Sequence, residues 1–240
     1  MSELFDASRR DLVTANRILG AEGILDAYGH VSLRNPDRAD TFLLTRARSP
    51  ENVEIDDVLE FGLDGTLLGS SDSIPYIERF IHAAIYEARA DVHAVCHNHA
   101  LSILPFSISK KTSLTATINS SRLFGSGVPV WDIADEFGPA TDMLVRDIEQ
   151  GRSLARSLGS GTVALMRGHG SAVVGTDARG IVSACLAMNR GAMAQLSVMT
   201  LGQVRTFTDV ELQPHPRLPT GATVDDRAWE YFQQKVGTAQ

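Results

Sequence analysis

Residues 77–99 read IERFIHAAIYEARADVHAVCHNH, and within this stretch the apolar period changes from helical to alternating. Ile77, Ile81, Ala84, Ile85 and Ala88 make one stripe, with Pro75 in a first turn and Ser73 as a cap, which predicts a helix over Ser73–Arg89. Val92 to Ala100 then alternates as a strand.

The same alternation of elements continues outward in both directions. Upstream, Leu12, Val13, Ala15, Ile18 and Leu19 predict a helix over Asp6–Leu19 stopped by Gly20 and Gly23, and Gly29 to Asp64 holds short β-rich runs with a hairpin signal at Asp64-Gly65. Downstream, the pattern predicts a strand region near Val128–Ile133, a helix over Thr141–Leu158 with Gly159 as its cap, and strands Val163–Met166 and Ala172–Val174. The longest helix is expected over Asp177–Thr200, followed by a strand, a Pro-rich coil and a short helix over Asp225–Val236. Many strands are joined by short turns rather than helical crossovers, so the class is α/β with a largely antiparallel sheet covered by helices.

The 240 residues carry 22 Lys+Arg against 29 Asp+Glu, a net charge of −7. That balance argues against a nucleic-acid or anionic-membrane partner, because both reward excess positive charge. With 43% hydrophobic residues and no apolar run of the ~18 residues a membrane span needs, the composition is that of a soluble globular protein. The length is read as one domain, 1–240, with a C-terminal tail from about 205 to 240. Cys96 and Cys185 have no paired spacing, so no disulfide framework is expected. Charged side chains precede any apolar stretch at the start, unlike a secretory leader, and a cytoplasmic location is expected.

Of seven histidines, His97 and His99 sit two apart on the predicted strand, where both imidazoles face one side and Cys96 and Asn98 face the other. Such a pair alone reads more readily as ordinary strand histidines than as two metal ligands. His169, between Gly168 and Gly170 at a strand end, supplies a third imidazole on a backbone tight enough to present it into a cleft. Three neutral ligands would leave a bound cation strongly Lewis acidic. His82, His93 and His215 read as polar side chains near the surface. Glu78 lies nineteen residues before His97, one helix upstream of that strand, and its spacing fits a surface pair with His82 equally well.

Glu78-Arg79-Phe80-Ile81-His82-Ala83-Ala84-Ile85-Tyr86, then Asp91-Val92-His93-Ala94-Val95-Cys96-His97-Asn98-His99, then Met166-Arg167-Gly168-His169-Gly170 resemble the class II aldolase/adducin family over about residues 8–205. The resemblance implies an α/β/α sandwich around a mixed, mainly antiparallel sheet. It also implies one divalent metal per subunit (zinc, manganese, cobalt or iron) on His97, His99 and His169, with Glu78 as the acid/base. A homotetramer with sites at subunit interfaces is implied as well.

Where sugar-phosphate aldolases of that family grip phosphate, this chain has Gly29-His30-Val31-Ser32, Thr45-Arg46-Ala47-Arg48 and Tyr76-Ile77. Most of the phosphate site is absent. Arg46 and Arg48, with Ser49 beside them, read either as a carboxylate anchor or as exposed strand-end residues. These changes resemble a decarboxylase branch that includes 3-hydroxy-2-methylpyridine-4,5-dicarboxylate decarboxylase, although Thr115-Ala116 and Asn119 depart from its pattern. The implied reaction is loss of carbon dioxide from a hydroxyaryl or oxo-acid carboxylate through a metal-stabilised enolate. In it Glu78, its pKa raised by desolvation, delivers the proton, and His30 bonds the substrate hydroxyl. Retro-aldol cleavage is the alternative, with a metal-dependent oxygenase or a non-catalytic adducin-like module further behind. Tyr231 and Trp229 on the last helix either close over a neighbour's site or simply pack a terminal amphipathic helix.

Overall fold

Ser2 accepts the Phe5 N–H and so starts helix α1 (Glu3–Ala21), which buries Leu12, Val13, Ile18 and Leu19 on one side. The structure, a computed structural model, describes residues 2–70, 72–213 and 224–237. After α1 come β1 (His30–Arg34), β2 (Thr41–Thr45), β3 (Val58–Gly62), α2 (Arg79–Ala88), β4 (Ala94–Asn98) and the short α3 (Leu104–Ile108). Then follow β5 (Val130–Trp131), α4 (Ile133–Phe137), α5 (Ile148–Leu158), β6 (Val163–Met166), β7 (Gly170–Gly175), α6 (Ala178–Leu201), α7 (Asp209–Leu212) and α8 (Val224–Val236).

The strands form one seven-stranded sheet in the order β3-β2-β1-β4-β7-β6-β5. Every neighbouring pair is antiparallel except β5 with β6, so the sheet is mixed and mainly antiparallel, as the turn-rich pattern predicts. The period of two divides its side chains between two cores. Val31, Leu33, Cys96 and Val173 face a cluster with Leu12, Ile18, Ile181 and Cys185 from α1 and α6, with Trp229 and Phe232 of α8 added. Phe42, Leu44, Val95 and Ala164 face the other cluster, with Ile81 and Ile85 of α2 and Leu154 of α5. The result is a helix–sheet–helix sandwich. Both cysteines are buried free thiols. Among the described residues no helix is long and apolar enough to cross a membrane.

Several boundaries differ from the pattern reading. The helix predicted from Ser73 begins at Arg79, because Pro75 bridges Arg46 and the Ile74 carbonyl accepts the Ala47 N–H, which holds 74–75 extended beside the end of β2. Proline also disfavours helical backbone in the residue before it. The helix predicted from Thr141 begins at Ile148, where Asp147 accepts the Gln150 N–H as its cap, and 141–147 form an irregular loop instead. Residues 203–208 form no strand. His215 and the Pro-rich stretch lie outside the described residues.

Helices α2 and α5 meet at Gly151, where a Cβ would fall against the Phe80 carbonyl oxygen. That close approach sets how α2 lies on the sheet, and therefore where its N-terminal residue Glu78 points.

Candidate metal centre and its cavity

Three imidazoles and one carboxylate converge beside the end of β4. His97 is the fourth residue of β4, on the face shared with Val95, and His99 follows just past the strand's end. His169 lies in the turn between β6 and β7, where Gly168 takes φ +64° and a Cβ on Gly170 would strike the Asn98 carbonyl oxygen. Glu78 is the N-cap residue of α2 rather than part of its surface. The four offer ligand atoms that all lie within 4.8 Å of one another.

Hydrogen bonds behind the rings fix which nitrogen faces the centre. His97 Nδ1 donates to the Ser171 carbonyl at 3.1 Å, His169 Nδ1 to the Met143 carbonyl at 2.9 Å, and His99 Nδ1 to the Asp26 carboxylate at 3.0 Å. All three partners only accept, so each ring, when neutral, carries its proton on Nδ1 and turns an Nε2 lone pair inward. His97 Nε2 and His99 Nε2 stand 3.0 Å apart, and Glu78 Oε2 lies 3.4 Å from His97 Nε2 and 3.5 Å from His169 Nε2. Two lone pairs that close repel unless positive charge lies between them. Three oriented imidazoles beside one carboxylate are a donor set that suits zinc or another divalent first-row ion.

Glu78 is buried, and its Oε1 accepts the Val145 N–H at 3.0 Å. Burial favours its neutral form, but attraction and hydrogen bonding to His97 and His169 in their protonated forms outweigh burial and hold its pKa far below the usual carboxylate range. The desolvated, near-neutral acid anticipated from the sequence is therefore a carboxylate in this structure. Reciprocally, burial opposes charge on His169, yet the hydrogen bond and attraction of Glu78 raise its pKa. Burial and the charge of His97 push His99 down in spite of Asp26.

A model of the class II aldolase and adducin N-terminal domain matches residues 10–196. The chain belongs to that family. It is 35% identical over 178 residues to the decarboxylase tropJ of Talaromyces stipitatus, an alignment that covers 69% of this chain and 66% of that relative's length. Among solved structures, an aldolase II superfamily protein from Pseudomonas syringae superposes with a TM-score of 0.79 at 20% identity, covering 98% of this chain and 94% of the other. L-fuculose 1-phosphate aldolase from Glaciozyma antarctica gives 0.71 at 23% identity over 87% of this chain and 80% of the other. The α/β class II aldolase fold is thereby shown.

In this family member the centre opens onto a cavity of about 720 Å³. His30, Arg48, Ser49, Glu78, His99 and His169 line it, with Tyr28, Ile74, Tyr76, Ile77 and Met143 supplying a largely apolar wall. Arg46 and Arg48 do not share a free face. Asp57 lies between them, its Oδ1 2.5 Å from Arg46 Nε and its Oδ2 2.7 Å from Arg48 Nη1, and only Arg48 reaches the cavity wall. Two guanidiniums against the one buried Asp57 leave an excess of positive charge, which Glu54 meets at 3.4 Å from the solvent side. The Tyr76 hydroxyl donates to the Arg48 carbonyl and accepts its N–H, fixing the backbone there. Tyr231 is 58% exposed on α8 and is not part of the cavity wall.

The sequence reading missed three contributors. Asp26, Met143 and Ser171 orient the rings, but an isolated aspartate and two backbone carbonyls carry no motif. It also placed His82 near the surface, whereas His82 is fully buried, between α2 and β1. His93 is exposed as expected.

Proposed function

We propose that the chain is a divalent-metal-dependent carbon–carbon lyase, a decarboxylase of a hydroxyaryl or oxo-acid carboxylate. The observation that carries this reading is the set of three Nδ1-anchored imidazoles facing Glu78 at the mouth of an apolar cavity. The 35% identity to a decarboxylase supports the reaction type.

His97, His99 and His169 would hold the ion, with Glu78 beside it, and a bound divalent cation supplies Lewis acidity toward oxygen atoms of the substrate. The apolar wall excludes water and accommodates a flat ring. Arg48, with Ser49 beside it and Arg46 behind Asp57, orients a carboxylate by charge-assisted hydrogen bonds. Glu78, a carboxylate in the free protein, accepts the proton of the substrate hydroxyl. After the bond to the leaving carboxylate breaks, Glu78 returns that proton to the carbon that keeps the electron pair. His30 offers a hydrogen bond to a substrate oxygen. In this reading the protein works in the cytoplasm as a homotetramer. The exposed Tyr28 and Ile74 at the cavity rim then meet a neighbouring subunit, and Tyr231 lies over that neighbour's site.

The test is a product assay of the metal-loaded protein on hydroxyaryl carboxylates and on sugar phosphates. Carbon dioxide from the carboxylates alone is the expected result. Release of an aldehyde from a sugar phosphate would replace decarboxylation with retro-aldol cleavage, and oxygen consumption would point to an oxygenase.

A further inference from the structure

Behind the centre, four buried polar side chains, starting from His30 at the cavity wall, join β1 to α2. His30 Nδ1 lies 2.7 Å from His82 Nε2, His82 Nδ1 lies 2.6 Å from Ser32 Oγ, and Ser32 Oγ lies 2.9 Å from the Tyr86 hydroxyl. His30, Ser32, His82 and Tyr86 are each at most 1% exposed. Two sequence periods bring them together: His30 and Ser32 share one face of β1, and His82 and Tyr86 lie one turn apart on α2. Neither the metal ligands nor Glu78 uses them.

The chain of bonds has a direction, because each hydroxyl has one proton and each neutral ring has one. Among the described residues the Tyr86 hydroxyl has a single side-chain acceptor within reach, Ser32 Oγ, so a buried phenol leaves no proton unbonded only by donating there. Ser32 then donates its own proton to His82 Nδ1. That ring, accepting on Nδ1, carries its proton on Nε2 and donates to His30 Nδ1. His30 in turn is protonated on Nε2. With Nδ1 occupied, Nε2 is the ring nitrogen left for the cavity that His30 lines.

We propose that Tyr86, Ser32 and His82 are positioning residues that lock His30 as its Nε2–H tautomer, so that His30 meets the substrate as a hydrogen-bond donor. The site therefore favours ligands with a carbonyl, carboxylate or phenolate oxygen at that place. It disfavours analogues whose group there can only donate. The chain ends at a phenol that is 1% exposed and lies under the Arg34 guanidinium, 4.8 Å from the ring centre, so it sets a tautomer rather than conducting protons. Burial, followed by the charge of His97, lowers the pKa of His82 to about 3, and burial and the charge of His82 lower that of His30, in keeping with neutral rings. Histidine tautomers set in this way are a general device for orienting a ring. This assignment rests on the cavity being the active site proposed above.

Its test does not depend on turnover. In the zinc-loaded full-length chain with nitrogen-15 histidine, ring-nitrogen shifts and their couplings to ring protons report each tautomer, and His30→Gln identifies the His30 signals. The expected result is a His30 proton on Nε2 in the wild type. In Ser32→Ala it is divided between both nitrogens, with zinc content unchanged and kcat/KM down about tenfold, the scale at which outer hydrogen-bond partners act. Should Ser32→Ala fail to fold, Ser32→Cys replaces the hydroxyl with a weak donor of similar size and is expected to shift the population in the same direction. A wild-type His30 protonated on Nδ1, or a tautomer unmoved in these variants, overturns the assignment. An Nε2–H His30 in a protein that releases neither carbon dioxide nor aldehyde upholds the tautomer while removing the proposed function. A working lyase with His30 protonated on Nδ1 does the reverse.

Discussion

Asp26 holds His99 through both carboxylate oxygens, each 3.0 Å from His99 Nδ1, across 73 residues of chain. The same carboxylate accepts the N–H groups of Tyr28 and Gly29 at 2.9 Å, so it is held independently of the ring. These backbone bonds and His99 overcome the effect of burial and lower its pKa, keeping it ionised at neutral pH. A carboxylate behind an imidazole raises its basicity and sets its orientation, and losing such a partner costs about 10- to 100-fold in metal affinity. Asp26→Asn is expected to weaken zinc binding in that range, read by competition with a chelator. Unchanged affinity would mean that His99 needs no support.

Glu78→Gln keeps the side chain's shape and still allows an oxygen to accept the Val145 N–H. It removes the carboxylate proposed as the proton carrier. Metal content should stay at the wild-type level while kcat falls by about 10²–10⁴-fold, the usual contribution of a positioned acid/base. Near-normal turnover with a full metal load would take Glu78 out of the chemistry.

The two arginines at Asp57 should separate under mutation. Arg48→Ala removes the cation on the cavity wall and is expected to raise KM for a carboxylate substrate about tenfold or more, with kcat less affected. Arg46→Ala leaves Arg48 paired with Asp57 and should change KM much less. Equal effects would show that both act only by holding Asp57.

His82 ties stability to pH. Its pKa is lowered to about 3 in the folded protein, by burial first and by the charge of His97 second, from an ordinary value of 6.5. Between those values the unfolded chain binds a proton that the folded one refuses, so stability falls as pH drops below 6.5. Each such group contributes up to ~1.4 kcal/mol per pH unit. Urea unfolding of the metal-free protein at pH 7, 6 and 5 should show this slope, and His82→Gln should make it shallower. An identical slope in the variant would mean that His82 takes up its proton in the folded state.

Gly151→Ala would ordinarily steady a helix by about 1 kcal/mol. Here the added methyl meets the Phe80 carbonyl oxygen and lies 3.0 Å from the Ala84 side chain, so α2 and α5 must move apart. Overpacking of this kind costs roughly 1–3 kcal/mol, and the variant is expected to melt lower than wild type. The shift would carry Glu78 with it, so turnover should fall alongside. A higher melting temperature would show that the helices separate freely.

Much of this protein is legible in the sequence because local periodicity decides it. The alternation around His97 places Cys96 in one core and Val95 in the other, the helical stripe of Ile81, Ala84 and Ile85 selects the buried side of α2, although Ala88 at its end is exposed, and the glycines around His169 mark a tight turn. The spacing of those histidines and the motif around Glu78 brought the candidate ligands into view together. What the tertiary structure decided lies in contacts between distant segments. The bridge from Arg46 to Pro75 stops α2 from starting early and leaves Glu78 as its cap; Asp57 divides the roles of Arg46 and Arg48; Asp26 and the Met143 carbonyl aim two of the rings. The charge of Glu78 also belongs to this level. Burial favours its acid form while the imidazoles folded against it favour the carboxylate, and that balance depends on distances through space that sequence spacing does not contain.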